Sequence, residues 1–228
     1  MKTPKKIRYE VAITILLAMI YVCIQTSTAE ESRINKEAKT TQSKKDMVKD
    51  VTGRITMETF DSDRGVIVSD IKELTRRSTE IIIGRPLANK SFYDEKRDEA
   101  RTLHLLQVQT VFKGHIENGS SIELEIPGGG YIGRDGKAHH RRASDARALR
   151  ENVSYFIFMR ENTEGKKNVY RPAFGVQGIF EMNPEVNTVL PCDLVKSDPV
   201  VKKYENASIA DFMDELMTAI STEVSRRQ

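Results

Sequence analysis

The stretch "TLHLLQVQTVFKG", residues 102–114, is followed after a short turn by "SIELEI", residues 121–126. Apolar and polar residues alternate in both segments, and side chains of a β-strand point to opposite faces with the same period of two. We therefore predict two strands that each bury one face. Glu123 and Glu125 are predicted to face solvent. The residues predicted to face the core are Leu106, Val108, Phe112, Ile122, Leu124 and Ile126.

Further strand candidates lie before and after this pair, and they are rich in β-branched and aromatic residues. Few of the segments between them are long and apolar enough to form crossover helices. The sequence therefore predicts a mainly β fold, a small antiparallel barrel of about five strands or a sandwich, with short flanking helices. The candidates are "EIIIGRP" at 80–86, "VSYFIFM" at 153–159, "VYRPAF" at 169–174 and "GIFEM" at 178–182.

Two helices are predicted at the ends of this β-rich body. Ser69 or Asp70 can cap a short helix that begins near Ile71. Near the carboxyl end, Ser208 precedes Asp211 by three residues, which is typical of a helix start. Apolar residues then follow the helical period, and we expect this helix to cover the core. They are Ile209, Phe212, Met213, Leu216, Met217 and Ile220.

The amino-terminal 29 residues have the composition of an export signal. Four cations precede an uncharged stretch at 11–29, and small residues stand near its end. We predict that residues 1–29 are a cleaved signal peptide or a retained membrane anchor, with membrane contact only through 11–29. The body is then extracytoplasmic, either secreted or tethered through its amino terminus.

The remaining chain divides by composition into three parts. Residues 30–51 are polar and charged and predict a flexible tether. Residues 52–185 contain the strand candidates and form the predicted barrel domain, and 186–228 form a carboxy-terminal segment with the amphipathic helix. Removal of residues 1–29 leaves 32 basic and 32 acidic residues, which argues against a nucleic-acid partner. Cys192 is then the single cysteine, so no intramolecular disulfide is expected.

A glycine-rich stretch follows the second of the two alternating strands. Gly128, Gly130 and Gly133 match the G-x-G-x-x-G spacing of dinucleotide-binding loops. That motif works at the start of a helix, whereas "RDGKAHHRRA" at 134–143 has no apolar helical face. We therefore predict a loop over residues 127–143, with no cofactor. The adjacent His139 and His140 lack the spacing of metal ligands, and no catalytic residue pattern is present.

The same loop is locally basic, and two interpretations of it remain open. It is either a solvated surface or a surface that contacts an acidic protein or a cell-surface polymer. The residues predicted to contact such a partner are Tyr131, Arg134, Lys137, His139, His140, Arg141 and Arg142.

The order of segments over residues 70–182 resembles the OB-type barrel of netrin-like domains, a class that includes the tissue inhibitors of metalloproteinases. The resemblance is carried by "STEIIIGRP" at 78–86, a charged insertion, "VQTVFKG" at 108–114, and the segments "SIELEIPGG", "LRENVSYFIFM" and "GIFEM". It implies the barrel fold and a binding role. It does not extend to protease inhibition, because no cysteine precedes the first strand after cleavage.

We therefore expect an exported, non-enzymatic binding module that contacts a protein or polymer partner. One alternative is an extracytoplasmic enzyme or cofactor-binding protein that uses the glycine-rich loop at 128–136. The other is a membrane-tethered structural protein in which residues 11–29 are never cut.

Overall fold

The computed structural model describes residues 56–60, 66–143, 145–162 and 168–227. The predicted export segment at 1–29 and the predicted tether at 30–51 lie outside these residues. Within the described ranges, the helices are all too short or too polar to cross a membrane.

The described residues form a mainly β fold. The three helices are α1 (Ile71–Arg77), α2 (Pro199–Tyr204) and α3 (Ile209–Arg227). The ten strands are β1 (Thr56–Phe60), β2 (Glu80–Asp94), β3 (Glu99–Lys113), β4 (Ser121–Pro127), β5 (Gly129–Ile132), β6 (Ala138–Ala143), β7 (Tyr155–Glu161), β8 (Val169–Val176), β9 (Ile179–Asn183) and β10 (Thr188–Pro191).

These strands form two sheets. The larger sheet has the order β10-β9-β7-β2-β3-β4-β8, and β7 also pairs with β8. The smaller sheet has the order β1-β6-β5. The β4–β8 and β1–β6 pairs are parallel, so the sheets are mixed rather than wholly antiparallel. The strand count exceeds the predicted five because β1, β5, β6 and β10 lack a clear apolar alternation, and β10 carries the larger sheet beyond residue 185.

The predicted charged insertion is part of a long hairpin. β2 and β3 are each 15 residues long and pair from Ile81 with Lys113 to Asp94 with Glu99. The polar residues between 87 and 101 therefore extend both strands instead of forming a separate loop. Most of the β2 side chains in this distal half are exposed or half-buried, which explains why the segment lacks the apolar pattern of a core strand.

The core consists of two apolar clusters on opposite faces of the central strands. On β7, Phe156 and Phe158 belong to the cluster that packs beneath the helices, the helix-side cluster. Tyr155, Ile157 and Met159 belong to the cluster on the other face, the second cluster. All five side chains are fully buried. A strand buried on both faces has a continuous apolar sequence, and this confirms the prediction that "VSYFIFM" forms a central strand.

The predicted inward face of β3 is only partly correct. Leu106 and Val108 lie in the second cluster, but Phe112 packs against the helix-side cluster and contacts Phe156. The pairing of β2 with β3 shifts register at Gln109, which has no partner in β2. This bulge reverses the alternation, so Val111 packs on the second cluster instead.

Both terminal helices form where the caps were predicted. The Asp70 carboxylate accepts a hydrogen bond from the Glu73 N–H at 3.0 Å, and the Ser208 hydroxyl accepts one from the Asp211 N–H at 3.0 Å. Phe212 and Leu216 of helix α3 pack on the core, whereas Met217 is 44% exposed. The prediction that this helix covers the core is therefore confirmed, with Met217 on its outer face.

The prediction that Glu125 faces solvent is wrong. Its side chain is buried, and the carboxylate accepts hydrogen bonds from the guanidinium groups of Arg101 and Arg171. Arg97 lies 3.7 Å from the same carboxylate. Two strands that flank β4, namely β3 and β8, supply the arginines, so the alternation of β4 alone does not reveal the pairing. Glu123 is exposed as predicted.

Candidate functional site

The glycine-rich stretch forms a β-hairpin instead of the predicted loop. β5 pairs antiparallel with β6 from Gly129 opposite Arg141 to Ile132 opposite Ala138. Strand β1 pairs with the other edge of β6. The turn is closed by hydrogen bonds from the Gly133 N–H to the Lys137 carbonyl and from the Gly136 N–H to the Gly133 carbonyl, each 2.9 Å. Gly133 therefore begins a turn rather than the helix that a dinucleotide site requires.

Close packing explains why a glycine occupies position 129, at the start of β5. Gly129 has a φ of +125°, and a Cβ atom there would lie 2.3 Å from the Thr102 hydroxyl oxygen and 2.5 Å from that of Ser91. These two hydroxyls are hydrogen bonded at 2.8 Å, and that of Thr102 donates to the Gly128 carbonyl at 2.7 Å. The glycine therefore allows β5 to approach the β2–β3 hairpin closely.

Replacing Gly129 with alanine is expected to destabilise the fold by about 1–3 kcal/mol, because it adds steric overlap to an unfavourable φ. Urea denaturation measures the change. Gly136→Ala is the matched control, since Gly136 also has a positive φ, +74°, but no atom lies within 4 Å of its added Cβ. Equal losses in both variants would contradict the close approach of Gly129 to Thr102.

One face of the hairpin holds it against the rest of the fold. Tyr131 stacks between Tyr93 and His139, with ring centroids 4.7 and 5.2 Å apart. Arg141 donates to the Asp98 carbonyl at 3.2 Å, and its Nε lies 3.4 Å from a Glu58 carboxylate oxygen. Three of the predicted partner-binding residues, Tyr131, His139 and Arg141, are thus engaged in intramolecular contacts.

The other predicted residues divide between the turn and the opposite face. Arg134 and Lys137 lie at the exposed turn, with side chains 85% and 71% accessible. His140 and Arg142 alternate with His139 and Arg141 along β6 and line a cavity of about 690 Å³, to which Arg141 also contributes. The adjacent histidines therefore point to different environments, as expected for neighbours in a strand.

The cavity lies at the end of the second apolar cluster. His104 and Thr102 alternate with Leu106 along β3, and they lie opposite Asn89 and Ser91 of β2. These four polar side chains line the cavity next to Leu106, which belongs to the apolar cluster. The cavity is therefore continuous with the interior face of the sheet.

Two further segments form the other walls. Residues 146–149 contribute Arg147 and Leu149, and the Arg147 N–H donates to the Cys192 carbonyl at 2.7 Å, which anchors this segment to the end of β10. The end of β8 contributes Phe174 and Val176. Backbone hydrogen bonds thus hold the wall at 146–149 in place.

His104 is neutral in the folded protein at physiological pH. Its side chain is only 9% exposed, and burial lowers the pKa of the imidazole to about 4. It forms no hydrogen bond with any other residue that the structure describes. A neutral imidazole carries one N–H donor and one acceptor, and His104 lines the cavity.

This pKa predicts a pH dependence of stability. The unfolded chain, with a histidine pKa of roughly 6.5, binds more protons than the folded protein between pH 6.5 and 4. Stability therefore decreases as the pH falls through this window, by about 3 kcal/mol from His104. Urea denaturation between pH 7.5 and 4.5 should show a weaker dependence in His104→Gln. The exposed His115→Gln variant is the control and should match the parent protein, whereas a parent-like slope in His104→Gln would refute the assignment.

The thiol of Cys192 is not a candidate nucleophile. It is buried, and desolvation raises its pKa to about 12, whereas a reactive cysteine requires a lowered pKa. Within the described residues, no cluster of three or more His, Cys, Asp or Glu side chains has a geometry that would hold a metal ion.

The predicted contact residues share only His140, Arg141 and Arg142 with the lining of the cavity. His104, Arg147 and Asn89 are examples of the lining residues outside that set. His104 is placed there by its alternation with Leu106, a signal present in the "TLHLLQ" pattern. Arg147 is brought to the cavity by the contact of its segment with Cys192, and Asn89 by the pairing of β2 with β3. These last two depend on contacts over 45 and 15 residues of sequence, which a local pattern does not contain.

No model of a known protein family matches this chain, and no curated protein sequence is significantly similar to it.

Proposed function

We propose that the chain is an exported, non-enzymatic binding module whose body is an OB-type barrel. Support for the barrel comes from the strand pairings, since β2 pairs with β3, β3 with β4, β4 with β8, β8 with β7, and β7 with β2. Support for export comes from the composition of residues 1–29. OB-type barrels bind partners on one face and through their loops.

The observation that carries the binding role is the cavity beside the β5–β6 hairpin. It opens next to the basic surface that the sequence analysis named as a candidate for partner contact, and it is lined by both apolar and cationic side chains. Concave sites with an apolar lining and a few polar groups are typical of ligand binding. We propose that the partner is a protein that contacts the cavity and the exposed turn at Arg134 and Lys137.

Site-specific photo-crosslinking in the cells that produce the protein tests this proposal. A photoreactive amino acid replaces Arg134 or Arg142 in separate variants, and Lys72 or Lys202 in two controls. All four positions are exposed, and the control positions lie on α1 and α2. We expect a crosslinked product of defined mass from positions 134 and 142 alone. Products from the control positions only would overturn the proposed surface.

The alternative, a cofactor-binding protein that uses residues 128–136, is tested by thermal melting with NAD(H) or with ATP and Mg²⁺. A ligand at 100 times its dissociation constant stabilises the folded state by about 2.7 kcal/mol. For a body of this size the midpoint would rise by roughly 5–10 °C. Such a rise would replace the binding module with the cofactor-binding alternative, and we expect no shift.

A further inference from the structure

We propose that the cavity binds one apolar side chain of a partner protein together with the carboxylates that flank it in the partner's sequence. This inference rests on the proposed function, because it names the chemistry of the partner at the same site. It is argued from the lining of the cavity, from its charge and from the polar groups at its inner end.

The inner part of the cavity favours an apolar group. Its apolar lining comes from four separate segments of the fold and includes Ile126, Leu149, Phe174, Val176 and Ile179. A volume of about 690 Å³ exceeds that of any single side chain, so a bound segment would bring part of its backbone inside. Burial of an apolar side chain against such walls provides most of the affinity of a small interface.

The charge of the lining favours an acidic segment. Arg141, Arg142 and Arg147 line the cavity, whereas Glu99 is the sole carboxylate among its described lining residues. Glu99 is paired with Arg101. Arg142 and Arg147 are exposed and form no ion pair within the part of the chain that the structure describes. Two guanidinium groups at the rim are therefore available to carboxylates, which they can bind with two parallel hydrogen bonds.

The polar groups at the inner end suit a peptide backbone. His104 is nine-tenths buried, lines the cavity, and has no hydrogen-bond partner among the described residues. Its imidazole N–H can therefore donate to the carbonyl of a bound peptide. Asn89, on the neighbouring strand, lies directly opposite His104. It is exposed, and its amide nitrogen donates to Glu151 at 3.3 Å, so its carbonyl oxygen is the atom that can accept from a bound backbone N–H.

An anionic polysaccharide fits these features less well. Its sulfates or carboxylates retain hydration and bind best to open basic surfaces, and it has no apolar side chain to place against Phe174 and Val176. Charged groups lose a large hydration energy when they enter an apolar cavity. We therefore assign the rim to carboxylates and the interior to an apolar side chain.

The test uses the full chain and blocked, fluorescently labelled hexapeptides. One peptide carries a single leucine flanked by aspartates and glutamates, a second replaces the leucine with glycine, and a third replaces the acids with lysines. Fluorescence anisotropy measures the dissociation constants. We expect the first peptide to bind, the second to bind roughly tenfold or more weakly because the buried apolar group is lost, and the third not to bind.

Charge-reversal variants locate the binding site. Arg142→Glu combined with Arg147→Glu is expected to weaken the first peptide by roughly tenfold or more, because both rim cations become anions. Lys72→Glu combined with Lys202→Glu is the matched control, with the same change in net charge at exposed positions outside the cavity. It should change the affinity less than twofold. A thermal melt of each variant checks that the fold is retained.

Several outcomes would overturn the inference. Equal binding of the leucine and glycine peptides would indicate attraction by charge without use of the cavity. The first peptide could fail to bind while heparin oligosaccharides bind and lose affinity in the Arg142→Glu, Arg147→Glu variant. That result would assign the site to an acidic polymer. If peptides fail while photo-crosslinks form at position 142, the proposed function stands and the inferred chemistry is wrong. If the peptides do not bind and no photo-crosslink forms at position 142, the cavity is not the binding surface.

Discussion

Replacing Phe212 with alanine is expected to lower the free energy of unfolding by about 3–5 kcal/mol. The side chain is only 1% exposed and lies at the centre of an aromatic group. Its ring centroid is 4.8 Å from that of Phe156, 4.9 Å from Phe180 and 5.3 Å from Tyr204. The alanine would remove three ring contacts and leave a cavity between α3 and the sheet.

Urea denaturation at neutral pH measures this effect. Met217→Ala is the matched control, because Met217 lies on the same helix and is 44% exposed. It should cost less than about 0.5 kcal/mol, as is usual for exposed positions. A cost for Phe212→Ala as small as that of the control would mean that α3 does not cover the core.

Replacing Glu125 with glutamine is expected to destabilise the fold by about 3–5 kcal/mol. The carboxylate is 2% exposed and accepts hydrogen bonds from Arg101 and from Arg171, the latter at 3.1 and 2.8 Å. Glutamine has nearly the same shape but no charge, so Arg101 and Arg171 would both lose the buried charge of Glu125, and Arg101 would keep the less buried Glu99 and Asp94. Arg101 is itself buried and would carry most of this cost.

Glu123→Gln is the control for this substitution. Glu123 lies two residues away on β4 and is exposed, so the same chemical change should have an effect within about 0.5 kcal/mol. Denaturation of both variants in urea at low and high salt gives a second criterion. Salt screens exposed charges more than buried ones, and a loss that disappears in high salt would contradict the buried position of Glu125.

The ion network around Glu125 also bears on the proposed binding site. Arg101 contacts both Glu125 and Glu99, and Glu99 lines the cavity. The network therefore keeps Glu99, the one carboxylate of the described lining, beside Arg101. The positive charge of Arg101 reduces the repulsion between Glu99 and an acidic ligand. We expect Glu125→Gln to alter peptide affinity as well as stability, since it releases Arg101 from its buried partner.

The sequence by itself predicted the elements whose signal is local. Strand β7 is recognisable because it is apolar on both faces, and α3 because Ser208 and Asp211 precede a run of apolar residues with the helical period. The outward position of Glu123 follows from simple alternation. In each case the physical cause, a cap or a repeated apolar face, lies within a few residues of the element.

The tertiary structure decided what depends on pairing between distant segments. Glu125 is buried because Arg101 and Arg171 come from two other strands, and the glycine-rich stretch is a hairpin because Gly129 packs on Thr102 and Ser91. The cavity arises in the same way, since its walls come from residues 146–149 and from seven strands, β2, β3, β4, β5, β6, β8 and β9. A local sequence pattern indicates whether a segment forms a strand or a helix. It does not indicate which strands pair, because pairing is determined by packing and hydrogen bonding between distant segments.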